Sequence, residues 1–176
     1  MITKERLCLY LGANNRKLEG FKTMDQDAAL GVDYVGDVSD LSRFETGSVS
    51  SIVASHILEH FPFKQAPLVL KEWYRVLEPG GILYIAVPDF ARAVYLATQH
   101  GLNDWLVALI HGDQEYPGAF HFASYDEHRL KNYLKTAGFF DITRVDELPK
   151  HAPNDCSMLH STWDGKSVSL NLTAVK

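Results

Sequence analysis

The chain has 176 residues, of which 46% are apolar and 22% charged, enough for one domain with a sizeable core and too short for two comfortable ones. A net charge of −5 and a pI near 5.9 give no chain-wide basic footprint, which argues against nucleic acid or an anionic membrane as partner. The first ten residues, MITKERLCLY, place charge where a leader needs an apolar core, and no apolar run reaches membrane-spanning length, so a cytoplasmic protein is expected. Cys8 and Cys156 lie far apart without a CxxC spacing and read as reduced thiols.

The stretch from Leu9 to Asp25 organises the rest of the chain. An apolar run, Leu7 to Leu11, suits a buried strand and breaks at Gly12; a second run, Phe21 to Met24, ends on Asp25. Such a turn lets a ligand lie against bare backbone, and a carboxylate on the neighbouring strand end accepts hydrogen bonds from both hydroxyls of a ribose. Gly12 lacks the GxGxxG companions and no GK[ST] follows, so neither a pyrophosphate nor a triphosphate cradle is indicated; a nucleoside without phosphates fits better. Asn14 stands where another glycine would be expected, and asparagine tolerates positive φ. Only eight residues separate Gly12 from Phe21, so the first crossover is abbreviated.

Further along, Val32 to Val38 is a short strand candidate with Asp37 near its end, and Ser50 to Ala54 another, followed by SHILEHF. Helical periodicity over Gln65 to Leu77 puts Val69, Leu70, Trp73, Val76 and Leu77 on one side, with Pro67 tolerated in the first turn. After Pro79-Gly80-Gly81, the run ILYIAVP over 82–88 is apolar throughout, as in the centre of a parallel sheet. Phe90 to His100 and Asn103 to His111 read as helices, 112–123 as irregular chain, and Ser124 with Glu127 as a capping box for a helix ending at Gly138. Phe139 to Val145 and Val168 to Val175 complete the strands, the last fit for an antiparallel pairing. Strands alternating with helices mean an open, mostly parallel α/β sheet of Rossmann-like type, seven-stranded, with helices on both faces. Its ligand belongs at the carboxyl ends of the strands, where Asp25, Asp37, His56 and Asp89 all fall.

Together LGANN, Asp25, Asp37, SHILEHF and RVLEPGGILYIAVP resemble the class I S-adenosylmethionine-dependent methyltransferases, and the LEH and VLEPGG stretches look especially like the type 11 branch, over about Leu7 to Val145. The later GDQEYPGAFHFASYDEHRLKNYLKTAGF and NDCS look like a compact methyltransferase subgroup associated with surface polysaccharide or related small-molecule pathways. The resemblance implies S-adenosyl-L-methionine as cofactor and S-adenosyl-L-homocysteine as its product. By position it implies that Gly12, Ala13 and Asn14 line the methionine portion, Asp25 holds the ribose, Gln26 flanks the adenine, Asp37 and Val38 bound the adenine ring, and Ser55 with His56 sit beneath the methionine moiety. The N-terminal helices that cap the substrate site in many relatives are expected to be missing. Residues 90–124 are therefore expected to cover the acceptor within a single domain of 1–176, a second subunit of a homodimer helping.

In methyl transfer from a sulfonium the cofactor supplies the electrophile, so the protein aligns the nucleophile and removes its proton where needed. His56, Asp89 and His121 are the candidate bases, ahead of His60 and His128, which read as structural or solvent-facing. His56, Glu59 and His60 form an HxxEH spacing compatible with one divalent ion, and the preferred reading has Glu59 and His60 brace the helix without metal. Tyr95, Trp105, Tyr116, Phe120, Phe122 and Tyr125 are available to stack on a sugar or aromatic ring of a small-molecule acceptor, methylated at oxygen or nitrogen. The competing functional class is a non-catalytic binding or regulatory module on a methyltransferase fold; a nicotinamide-dependent oxidoreductase is disfavoured by the absent fingerprint.

Overall fold

The computed structural model describes residues 6–176; the first five, and with them the start of the expected leader-free terminus and of the 1–176 domain, lie outside the described residues. Seven strands form one sheet in the order β3-β2-β1-β4-β5-β7-β6. They are β1 (Leu7–Leu11), β2 (Lys22–Asp25), β3 (Tyr34–Val35), β4 (Val49–Ser55), β5 (Leu77–Pro88), β6 (Phe140–Val145) and β7 (Ser169–Val175). Strands β1 to β5 pair in parallel and β7 runs antiparallel between β5 and β6. The strand order reverses at β1 and β4, whose carboxyl ends, Leu11 and Ser55, open the crevice where such sheets bind ligands. No helix among the described residues is long and apolar enough to cross a membrane.

The helices are α1 (Ala66–Val76), α2 (Phe90–His100), α3 (Asp104–His111) and α4 (Glu127–Ala137). Each begins or ends for a local reason. Pro67 occupies the first turn of α1, where its missing N–H is no loss. Asp89, Asn103 and Asp126 cap α2, α3 and α4 by accepting from Arg92 N, Leu106 N and Arg129 N. The cap of α4 is thus Asp126 and not the expected Ser124, because Tyr125 between them is drawn into a bridge with Asp89 at the end of β5. Gly138 closes α4 at φ +116°, and a Cβ there would meet the Tyr74 ring at 2.8 Å.

Alternation along the strands sorts side chains onto two faces. Leu9, Leu11, Ile52, Ala54, Leu83, Ile85, Leu170 and Leu172 turn to one face, which α1 and α4 cover with Leu70, Trp73, Leu130 and Leu134. Trp73 is fully buried there and donates its indole N–H to Val38 O at 2.9 Å. Tyr10, Val53, Tyr84 and Ala86 turn to the other, where the cover is irregular chain: Leu18 and Phe21 from 12–21, Leu148 and Ala152 from 146–168. The helices expected on this side too are replaced for two reasons. The first crossover has too few residues for one, and Pro149 and Pro153 interrupt the second segment. Helices α2 and α3 form a small cluster of their own with Val168 beyond the end of β5.

What fixes the 146–168 segment is one carboxylate. Asp155, 3% exposed, accepts from Tyr10 Oη and Ser55 Oγ through its two oxygens, and from Ser157 N at 2.8 Å. Asn171 on β7 donates to Asp146 O and Ser157 O, tying down the same segment from the far strand. Burial pushes the Asp155 carboxyl up, but the hydrogen bonds from Ser55, Tyr10 and Ser157 outweigh it and leave it below its ordinary value.

Asp155→Ala should cost about 3 kcal/mol in denaturant unfolding, because it leaves buried hydroxyls without an acceptor. In the wild type the carboxylate contribution should be complete above the unfolded pKa of about 4 and vanish as pH falls through the lower folded value. A stability profile without an acid loss that Asp155→Asn removes would contradict this. Separately, Gly112 sits at φ +79°, and an added Cβ would lie 1.7 Å from Ala119 O. Gly112→Ala should therefore lift the 112–123 segment off the body, read as new cleavage sites there in limited proteolysis.

Candidate functional site

At the end of β1 the chain turns sharply. Gly12 and Asn14 both adopt left-handed backbone, at φ +62° and +53°, the conformation that glycine accepts freely and asparagine tolerates. Gly12 N and Ala13 N converge on Met24 O, at 2.9 and 3.4 Å. A Cβ at Gly12 would stand 2.7 Å from Cδ1 of Ile57, so the turn packs closely against the chain leaving β4. Across the turn, at the tip of β2, the half-buried Asp25 accepts from Asn14 N at 3.0 Å through one oxygen and from Asp27 N at 3.2 Å through the other. Each oxygen retains acceptor capacity for a further donor. Gln26 follows on the exposed side. Asp37, also exposed, holds its own turn through Ser39 N at 2.8 Å, and Val38 beside it is buried in the core. The turn residues Gly12, Ala13 and Asn14 thus meet the tip of β2 directly, the first two at Met24 O and Asn14 at Asp25. Gln26 adjoins them at the tip of β2, while Asp37 and Val38 follow β3, the next strand along.

The other half of the crevice lies after β4. Ser55 is buried and committed to Asp155. His56 departs from the strand in left-handed backbone, φ +50°, a conformation that costs a non-glycine residue roughly 1–2 kcal/mol and is held by its N–H to Ala86 O at 2.9 Å. Its ring is fixed by hydroxyl bookkeeping. Ser169 Oγ donates to Cys156 O at 2.7 Å, so the 2.7 Å contact between that hydroxyl and His56 Nε2 must be donated by the ring. Nδ1 is then the bare nitrogen of His56. It faces Oε1 of Glu59 at 3.4 Å.

The SHILEHF stretch, expected to begin a helix, forms a single 3-10 turn, Leu58–His60. It carries Glu59 inward to 0% exposure, where neither carboxylate oxygen has a hydrogen-bond partner. Burial pushes this carboxyl up to about 8 and drives the His56 imidazole down to about 3. The Glu59 backbone carbonyl accepts from Phe122 N and Ala123 N at 2.8 and 3.2 Å, bringing the 112–123 segment onto the turn. His60 Nδ1 donates to Phe120 O at 3.0 Å, and the His60 and His121 rings meet edge to face at 4.8 Å. Burial, then the neighbouring His60, lower the His121 imidazole to about 4.

Asp89 occupies a different position from the other two candidate bases. It is 4% exposed; one oxygen caps α2 and the other accepts from Arg144 Nη2 at 2.8 Å. Both oxygens are engaged in holding β5, α2 and β6 together. Of the candidate stacking aromatics, Tyr125 is fully buried and Trp105 packs edge-on against Trp163. Tyr116, Phe120 and Phe122 remain exposed on the 112–123 segment. That segment reaches across the crevice: a methyl group placed at Gly118 would stand 3.8 Å from Nε2 of Gln26. Asp155 is the residue that local sequence reading missed, since its partners lie on other strands, while Glu59, expected to brace a helix, is instead turned into the interior.

Residues 10–85 match a family model described as a methyltransferase domain, Methyltransf_11. No curated protein matches the sequence. Among solved structures, the chain is similar to a SAM-dependent methyltransferase from Archaeoglobus fulgidus, at 13% identity and a TM-score of 0.64, covering 97% of this chain and 86% of that one. A SAM-dependent methyltransferase from Methanosarcina mazei gives 18% identity and 0.64 over 99% and 94%. A Haemonchus contortus phosphoethanolamine N-methyltransferase, solved with phosphomonomethylethanolamine and S-adenosylhomocysteine, gives 15% and 0.51 over 82% and 36%. These likenesses carry the fold, and the sequence match spans the strands that bear the glycine turn, Asp25, Asp37 and Ser55. The sequence match over 10–85 and the shared fold both support a class I S-adenosylmethionine-dependent methyltransferase with a type 11-like domain.

Proposed function

We propose that this methyltransferase holds its cofactor along Gly12–Asn14, Asp25, Gln26, Asp37, Val38, Ser55 and His56, and passes the methyl group to an oxygen or nitrogen of a small molecule such as a sugar or polysaccharide precursor. The observation that carries the reading is the contact between the left-handed turn and Asp25. It presents a carboxylate with spare acceptor capacity beside a left-handed turn, which suits a ribose diol with a short polar tail.

The segment 90–124 supplies the acceptor side in this reading. It starts from the Asp89 cap, returns along α3, and lays 118–123 over the turn after β4. Phe120 and Phe122 stack at 6.4 Å with an interplanar angle of 26° and stay exposed, a surface on which a sugar ring packs. His56 and His121 are the candidate bases in this reading, and Asp89 positions the segment through its cap of α2. The protein's part in the displacement is alignment: the floor fixes the sulfonium, the cover fixes the nucleophile, and closure excludes water.

Thermal unfolding in parallel with S-adenosylhomocysteine, S-adenosylmethionine, NAD and ATP tests this. At about 100 times Kd the first two should each add ~2.7 kcal/mol, which is roughly 5 to 10 °C for a chain of this size, and the others nothing. Asp25→Ala should abolish the response while remaining folded. A shift with NAD, or none with either cofactor form, would overturn the assignment.

A further inference from the structure

We propose that Glu59, His60 and His121 form a binding site for a divalent first-row transition-metal ion, clamping the 112–123 segment onto the turn after β4. One ligand atom from each lies within 4.8 Å of the other two. The set differs from the HxxEH spacing of the sequence: His56 is turned toward Ser169, and His121, sixty-one positions after His60, takes the third place.

The central group is the Glu59 side chain. It is completely buried, and neither oxygen is hydrogen-bonded. Its Oε1 faces His56 Nδ1 at 3.4 Å, a nitrogen that the Ser169 hydroxyl leaves without a proton. A buried carboxyl group with no hydrogen-bond partner is a place where a bound cation would replace the proton that burial otherwise favours. The two imidazoles are prepared to share that cation. His60 gives its Nδ1 proton to Phe120 O, which leaves Nε2 bare and the ring held by a backbone carbonyl, the outer-shell arrangement that orients metal-binding histidines. His121 has a buried Nδ1 with no partner, and Asp113 adds negative charge nearby.

Two nitrogens and one carboxylate oxygen suit zinc, iron, cobalt or manganese better than magnesium or calcium, which favour oxygen-rich shells. Bonds of about 2.0 to 2.2 Å need the ligand atoms roughly an ångström closer together than their present spread, a movement the segment carrying His121, whose one regular element is a 3-10 turn over Pro117–Ala119, accommodates. Three protein ligands leave positions open for water or, on the methyl-transfer reading, for an oxygen of the acceptor.

The test uses the full chain, stripped of metal by chelator and without cofactor. Zn²⁺ and Mn²⁺ should raise the unfolding midpoint by roughly 5 to 10 °C at saturation, Mg²⁺ should not, and Co²⁺ should develop visible absorption bands at a single equivalent per chain. His121→Ala and Glu59→Gln should lose both responses, and His128→Ala, exposed on α4, should keep them. Where Glu59→Gln fails to fold, His60→Gln serves with His121→Ala. No shift and no cobalt spectrum in the wild type, or the same responses in His121→Ala, would overturn the site. The S-adenosylhomocysteine shift is read separately, so loss of the metal response alone leaves the cofactor assignment standing, and the reverse leaves the metal site.

Discussion

The hydroxyls of Tyr10 and Ser55, on the two strands at which the sheet order reverses, both give their protons to the buried carboxylate of Asp155. A parallel sheet needs cover on both faces, and the face bearing Tyr10, Val53 and Tyr84 has little helix to provide it. The loop between β6 and β7 does so instead. Apolar contact from Leu148 and Ala152 is too sparse to hold such a loop in register, so directional, charge-assisted hydrogen bonds supply the positioning. Because Ser55 is the last residue of β4, the same interaction sets where His56 leaves the strand, and so where the crevice begins.

The crevice then divides by chemistry. Toward β2 it is backbone and carboxylate, with the glycine turn and Asp25 already joined before any ligand arrives; that geometry is preorganised and little ordering entropy remains to be lost on binding. Toward β5 it is histidine, a buried acid and exposed aromatic rings, closed by a segment fastened through main-chain hydrogen bonds to Glu59. The rigid half suits a cofactor common to many reactions, and the half built from irregular chain suits an acceptor that varies.

Local signals carry much of this architecture. The strand-turn-strand unit around Gly12, the left-handed Asn14, the short first crossover and the helices over 90–100 and near 104–111 arise from apolar periodicity and from residue types that permit or stop an element. Strand ends are less legible. The strand expected at 82–88 runs from Leu77, since Pro79, Gly80 and Gly81 bridge a register shift opposite Val49 and Ser51 without leaving the sheet. The role of Asp155 is illegible, because its partners lie 145 and 100 positions away and nothing in NDCS reveals a buried carboxylate. Glu59 reads as a brace because its spacing suits a helix face; the 3-10 turn sends it inward instead. His121 is picked out in the sequence as a candidate base, but it lies in chain with no period, where nothing local pairs it with Glu59 and His60.

The reliance of one sheet face on Asp155 also orders events in time. Its contacts join residues from opposite ends of the chain, and they exist only once β1 and β4 are side by side. Loop closure over such distances follows the assembly of the sheet and cannot nucleate it. The 146–168 segment is accordingly among the last parts to order during folding and among the first to open afterwards, so weakening it speeds unfolding and leaves the refolding rate nearly unchanged. Kinetic persistence of the protein is thereby concentrated in a loop with almost no regular structure.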